Sequence, residues 1–363
     1  MRKYRNQIIL GFAFSFSIYI ILLLLLDGSG QFSETEGILD ALRSFDASFL
    51  ILILVTQFLV MFFRFIEWHY YLGIIGARDK ISLFDSALIF VTGFTFVVSP
   101  AKAAEVLKSV MLKIKTNVPI SLSSPIIIAE RVVDGFAVIL ILFAMLISFS
   151  QNLELGDYLT ISQSVIFVSA LLLISGLVIV QIAPLAYFFL NLSKSLPLIK
   201  RAYQPLVAFY ESSREIFKLR HVIPMVGVGV GVYLFSSLEF LLILAGFHLN
   251  IGFDLFLQCA FIVGISSAIG ALSFIPNGAG ITEFSTAALL LVIVAPSQPA
   301  LIPPVIAAAS LLQGFFHKWF RVLVGMLVGF IFFNRLFPAD EVDDILNELE
   351  NEELLASNSS LNS

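Results

Sequence analysis

Two apolar segments of this chain break in the same way, 176 positions apart. In the first, FTFVVSPAKAAEVLKSVML, a hydrophobic run stops at Pro100, and Glu105 opens the next run with Lys102 and Lys108 beside it. In the second, LSFIPNGAGITEFSTAALLL, the break is Pro276 and the glutamate is Glu283. Irregular backbone at membrane depth survives only inside protein or beside a wet cavity, because lipid cannot satisfy its amide and carbonyl groups. Paired interruptions in two halves of a chain therefore point to a transporter-type binding site. In the turn Asn277-Gly278-Ala279-Gly280, the two glycines admit positive φ and close approach by a ligand. The helix that follows offers free N–H groups, either to an anion or to Thr282 and Glu283 as caps. Lys102, Glu105 and Lys108 read either as part of a binding site or as a rim ion pair, Glu105 and Lys108 being at i,i+3.

A second set of charges lies within apolar helices. The helix expected to begin at Pro125 carries Glu130, Arg131 and Asp134 in its first three turns. The last apolar segment carries Gln313, His317 and Arg321 at i,i+4 spacing, with Lys318 adjoining. Charge inside a membrane is costly and by default marks a pathway or a site. The competing reading is structural: Glu130 or Asp134 pairs with Lys318 or Arg321, or one helix ends near Gln313 and leaves Lys318 at an interface. Arg64 and Glu67 close the second span and read as interfacial anchors. Glu239 stands alone near the outer end of its span and has no assigned role.

These residues need a membrane bundle to hold them. The chain is 59% hydrophobic and 13% charged, against about 25% charged in soluble domains. Long charge-free runs such as 8–26 and 136–149 need lipid around them. The first run follows Arg2, Lys3 and Arg5 but lacks a small-x-small cleavage site, so it reads as a retained span. A single cysteine, Cys259, excludes a disulfide framework and a cysteine-based metal site. The net charge of −5 comes from the last 24 residues, which hold eight acids and no base and leave the rest at +3. The tail, 336–363, reads as a disordered acidic appendage.

Loop charge sets the topology. The 27–48 loop carries five acids against Arg43 alone, while the N-terminus, the 67–80 region and the 193–221 segment are basic. The positive-inside rule puts those three in the cytoplasm. Parity then requires 82–115 and 255–294 to dip into the membrane and return. The expected fold is an all-α polytopic membrane protein with about eight hydrophobic segments. Six are full crossings, near 8–26, 48–68, 125–149, 161–190, 222–246 and 305–333. The others form two re-entrant hairpins from opposite faces. Units 48–149 and 222–333 form an inverted repeat, joined by the span 161–190 and a basic cytoplasmic segment with an amphipathic helix over 197–220. Both termini are expected in the cytoplasm, and the location is the cell (inner) membrane.

Enzyme motifs are missing: there is no HExxH, GxxxxGK[ST] or GxSxG, and the four histidines are scattered. No catalytic residue, metal, cofactor or nucleic-acid partner is expected.

PAKAAE (100–105), AERVVDG (129–135) and IPNGAGITE (275–283) resemble the lysylphosphatidylglycerol synthase transmembrane family, over roughly residues 8–335. Pro276, Gly278, Gly280 and Glu283 fit the family's P-x-G-x-G-x-x-E pattern, and Glu130, Arg131 and Asp134 its E-R-x-x-D. The first hairpin departs from P-G-K-x-G-E, with Ala101 and Ala104 in place of both glycines, so a backbone-cradled phosphate is not expected there. The resemblance implies a flippase-like domain, 1–335, that moves an anionic or aminoacylated phospholipid or lipid-linked precursor between leaflets. Its headgroup site would be Lys102, Glu105, Glu130, Arg131, Asp134, Gly278, Gly280, Glu283, Lys318 and Arg321. With only the short tail after it, the chain is not expected to synthesise an aminoacylated lipid. The alternative is a non-catalytic scaffold for a glycosyltransferase or lipid-modifying enzyme, docked through the basic segment. A homodimer or a membrane-enzyme partner is compatible with either.

Overall fold

The computed structural model describes residues 37–95, 106–149, 157–193, 202–273 and 278–338. The expected first span, Pro100, Lys102, Glu105, Pro276 and nearly all of the acidic tail lie outside the described residues.

Every described element is a helix. Helix α1 (Ile38–Arg43) leads to α2 (Phe49–Ile74), and α3 (Leu83–Gly93) and α4 (Val106–Thr116) follow. Next come α5 (Ile120–Phe149), α6 (Asp157–Gln181), α7 (Ala183–Ser193) and α8 (Tyr203–Ile216). Helices α9 (Leu219–Gly246), α10 (Phe253–Leu272) and α11 (Ile281–Leu289) precede the last run. That run is α12 (Pro303–Gly314), a π-helical turn (Phe315–Phe320), α13 (Arg321–Ile331) and the short α14 (Phe333–Leu336). Among the described residues, α2, α9, α10, the 163–181 part of α6 and the continuous run Pro303–Ile331 are each long and apolar enough to cross a membrane. The molecule is an all-α multi-pass membrane protein.

Three boundaries differ from the sequence reading. Helix α5 begins at Ile120 rather than Pro125, which sits inside it, so the helix is 30 residues and about 45 Å long. The expected span 161–190 is two helices that break at Ile182, where Pro184 starts a new first turn. The expected surface helix over 197–220 ends at Ile216, as α8, and is anchored to α5 by the Ser212 hydroxyl donating to the Leu122 carbonyl at 2.7 Å.

Packing sorts the bundle into two large apolar cores, with a small third cluster at Trp319 and Val322. One gathers Ile53 of α2, residues 137–145 of α5, Phe240 and Leu244 of α9, and much of α10 and α12. The other gathers Trp68 and Leu72 of α2, Ile126 and Val133 of α5, Val222 and Met225 of α9, and the inner faces of α3 and α4. On α2 and α5 the residues at the seam between the cores are charged: Arg64 and Glu67 on the first, Asp134 on the second. Asp134 is the fifteenth residue of α5 and so lies about 20 Å from either end of that helix.

Two helical hairpins reach the seam. Helices α10 and α11 pack on one another, with the Thr286 hydroxyl 3.1 Å from that of Ser266. At their open end Gln298 exchanges side-chain hydrogen bonds with the Asn250 backbone, at 3.1 and 3.3 Å. Their closed end meets Lys318, in the middle of the last run. Helix α3 lies along α13 in the opposite sense. Asp85, at its start, holds Arg335 through two bonds of 2.6 and 3.1 Å, while Phe94, at its end, lies against Arg321.

Candidate functional site

The seam holds an ion-pair network built from three helices, α2, α4 and α5. Arg64 donates to Asp134 at 2.9 Å, and Arg131 approaches the same Asp134 oxygen at 3.4 Å. Lys108 binds Glu130 at 2.8 Å and lies 4.1 Å from the Trp68 ring centroid. Buried charge survives only with such compensation, because desolvation costs several kcal/mol per ion. Glu67 is buried beside these groups, with one carboxylate oxygen making no hydrogen bond. A small cleft opens among Arg64, Glu67, Lys108, Glu130 and Arg131.

Lys318 holds the closed end of the second hairpin. Its ammonium lies 3.0 Å from Glu283 Oε1 and 3.5 Å from the Gly278 carbonyl, and it also contacts the Thr282 hydroxyl. Glu283 Oε2 accepts from the Gly280 N–H at 2.8 Å and lies 2.9 Å from the Thr282 hydroxyl. Gly280 has φ +83° and Gly278 φ +60°, conformations that L side chains rarely adopt. The chain's own Glu283 therefore caps this helix, as one of the two sequence readings expected. Gly314 makes room for that carboxylate, since a Cβ there would lie 2.4 Å from Glu283 Oε1.

Arg321 is the exception in the seam. It is buried, and among the described residues it makes no ion pair. Its guanidinium carbon lies 5.9 Å from the Phe94 ring centroid, and Arg64, Glu239, Asp134 and Arg131 are within electrostatic range. His317, one turn earlier in the π-helical segment, has a buried Nδ1 that makes no hydrogen bond. The widened turn places Lys318 and Arg321 against different partners, the second hairpin and the first. Local widening of this kind is frequent at functional sites.

Several pairings differ from the sequence reading. Glu130 and Asp134 pair with Lys108, Arg64 and Arg131, and neither pairs with Lys318 or Arg321. Lys108 reaches across to α5 instead of staying at a rim, while Glu105 lies outside the described residues. Arg64 and Glu67 are not interfacial anchors. Their helix continues to Ile74, which puts Arg64 ten residues inside it and buries both side chains. Glu239 is not isolated either, for the Gln57 side-chain amide donates to it. A larger cavity of about 450 Å³ lies at the open end of the second hairpin, lined by Asn250, Asp254, Gln258 and Gln298; with no basic side chain in its lining it does not suit an anion.

A family profile described as the lysylphosphatidylglycerol synthase TM region matches residues 8–325. The chain belongs to this family. No curated protein and no solved structure matches it. In this member of the lysylphosphatidylglycerol synthase transmembrane family, the E-R-x-x-D residues Glu130, Arg131 and Asp134 all enter the seam network. Gly278, Gly280 and Glu283 form the closed end of the second hairpin around Lys318. Family membership and the apolar helices assign it to membrane-lipid-related work.

Proposed function

We propose that the protein is a lipid translocator, which carries the headgroup of an anionic or aminoacylated phospholipid, or of a lipid-linked precursor, across the cell membrane. The observation that carries this reading is the buried Arg321, a mid-bundle cation without an ion pair among the described residues. A phosphate supplies what it lacks, and the Lys318 and Arg131 cations lie within electrostatic range of Arg321. Glu67 and Glu130 offer carboxylates to a cationic aminoacyl group. Burying unpaired charge at membrane depth is difficult to explain by stability alone.

In this reading both hairpins are re-entrant. The first enters from the end marked by Asp85 and Arg335, the second from the end marked by Asn250 and Gln298, and their tips approach at Lys318 and Arg321. Units 48–149 and 222–333 then form an inverted repeat, and rocking one against the other exposes the seam to each leaflet in turn. The termini and the basic 193–221 segment face the cytoplasm, and no covalent chemistry is performed. Within that segment Lys218 and Arg220 are already held by Glu215, which favours the seam over a docking surface as the working part.

Reconstitution into liposomes tests this. With headgroup-labelled phosphatidylglycerol in one leaflet, the wild type is expected to speed exchange at least tenfold over empty liposomes, and Arg321→Ala to abolish the gain. A wild type that leaves the asymmetry intact, or an Arg321→Ala variant that matches it, overturns the reading.

A further inference from the structure

Glu239 and Gln57 form a buried pair between α9 and α2. Both side chains are fully buried, and the Gln57 Nε2 amide donates to Glu239 Oε2. Two atoms are left over: Gln57 Oε1 and Glu239 Oε1, both buried and neither in a hydrogen bond. Both are acceptors when the carboxyl is ionised, so neither can satisfy the other. One proton on Glu239 Oε1 would make it a donor, and Gln57 Oε1, on the amide already bound to the same carboxyl, is an acceptor without a partner. An unsatisfied buried polar atom calls for such an explanation.

The surroundings tie that proton to Arg321. Helix α2 presents Gln57 and, two turns on, Arg64; α5 presents Asp134; α9 itself adds Tyr233. Helix α10 has Asp254 in its first turn and Cys259, α12 has no titratable side chain, and the run beyond it adds His317, Lys318 and Arg321. Of all these, Arg321 is the charged group within electrostatic range of Glu239. Asp134 is already shared by Arg64 and Arg131, so of the two described acids within electrostatic range of Arg321 the Glu239 carboxylate is the one outside an ion pair.

We propose that Glu239 is a proton-binding site coupled to anion binding at Arg321, so that the protein carries a phosphodiester anion and a proton together. The inference rests on the reading of Arg321 as the anion site. When an anion seats on Arg321, one proton from water joins Glu239 Oε1; an O–H bond forms and its hydrogen is donated to Gln57 Oε1. When the anion leaves, that O–H bond breaks, the proton returns to water, and the carboxylate becomes the counter-charge of Arg321. The pairing shown, with two buried acceptors lacking a donor and Arg321 in no ion pair among the described residues, is the anion-ready form. Coupling of this kind is reciprocal: the proton favours the anion as much as the anion favours the proton.

Calorimetric titration of the purified full chain, in paired buffers of different ionisation enthalpy between pH 5 and 9, tests this. The probes are dihexanoylphosphatidylglycerol and its deacylated headgroup glycerophosphoglycerol, neither of which titrates in that range. Wild type is expected to take up close to one proton per anion on the alkaline side, with affinity falling toward tenfold per pH unit. Glu239→Gln should bind with no proton uptake and no pH slope, and Gln57→Leu should take up less than wild type. Binding of the lipid but not the free headgroup identifies a membrane lipid as the anion; binding of both admits soluble phosphodiesters, and the proton count supports the coupling in either case. Lipid binding with no proton uptake in wild type overturns the coupling while sparing the proposed function, as does unchanged uptake in Glu239→Gln. Failure of wild type to bind either probe overturns both.

Discussion

Lys318 lies 3.0 Å from Glu283, and this ion pair fastens the middle of the last helical run to the first turn of α11. Glu283 at the same time accepts from the Gly280 N–H, so one carboxylate both caps a helix and neutralises a buried lysine. The closed end of the second hairpin is thus held at mid-helix by a charge that lipid would not tolerate unpaired.

Breaking this pair from one side should be costly. Lys318→Met leaves Glu283 buried without its cation, and a loss of about 3–5 kcal/mol is expected. Lys318→Met combined with Glu283→Gln should cost less than the sum of the single changes by at least about 1 kcal/mol. Thermal unfolding of the purified variants in detergent measures both; strict additivity would contradict the pairing.

Gly314→Ala tests the same contact sterically. The new Cβ would meet Glu283 Oε1 at 2.4 Å, so the carboxylate must move and loosen both its cap and its lysine. A loss of about 1–3 kcal/mol is expected. Gly176→Ala, where nothing lies near the added methyl, is the control and should be neutral or slightly stabilising.

Much of this was legible in the sequence, for reasons that also set its limits. The apolar run lengths indicate the all-α membrane class, and spacing brings out Glu130 with Asp134 and the stripe Gln313, His317 and Arg321 with Lys318 adjoining. Spacing along one helix cannot show partners 70 residues apart, as Arg64 and Asp134 are, or 35 apart, as Lys318 and Glu283 are. Arg64 and Glu67 look like anchors closing a span, yet α2 runs on to Ile74 because α9 and the second apolar core cover it. Glu239 gives no local signal at all, since its partner Gln57 is an uncharged residue on another helix.

Hairpin orientation can be read by labelling. The one native cysteine, Cys259, is buried, so introduced thiols report alone. Asp79 and Ala300 are exposed near the open ends of the first and second hairpins. A membrane-impermeant maleimide on intact cells is expected to label Ala300→Cys, and to label Asp79→Cys only after permeabilisation. Labelling of both from one side contradicts opposed hairpins.

Glu215 gives a pH signature on α8. The hydrogen bond from Lys218, helped by Arg220, holds its carboxyl down at about 2, against the opposing effect of burial. A depressed carboxylate favours the folded state above its unfolded pKa of about 4.3, and that contribution is lost as pH falls toward the folded value. The groups are largely exposed, so the effect on stability is small. Amide-exchange protection at the end of α8 should be constant from pH 8 to 5 and fall below pH 4. Glu215→Gln should show lowered protection already at pH 7, with no further loss in acid.

The central claim is that a lipid phosphate sits at mid-membrane on Arg321. The most direct measurement is a lipid-resolved cryo-electron-microscopy map of the full chain in nanodiscs containing phosphatidylglycerol. A headgroup phosphate in ion-pair contact with the Arg321 guanidinium, between the hairpin tips, is the predicted result. Headgroups confined to the two membrane surfaces, with Arg321 paired to Asp134 or Glu239 and the seam closed to lipid, would contradict it.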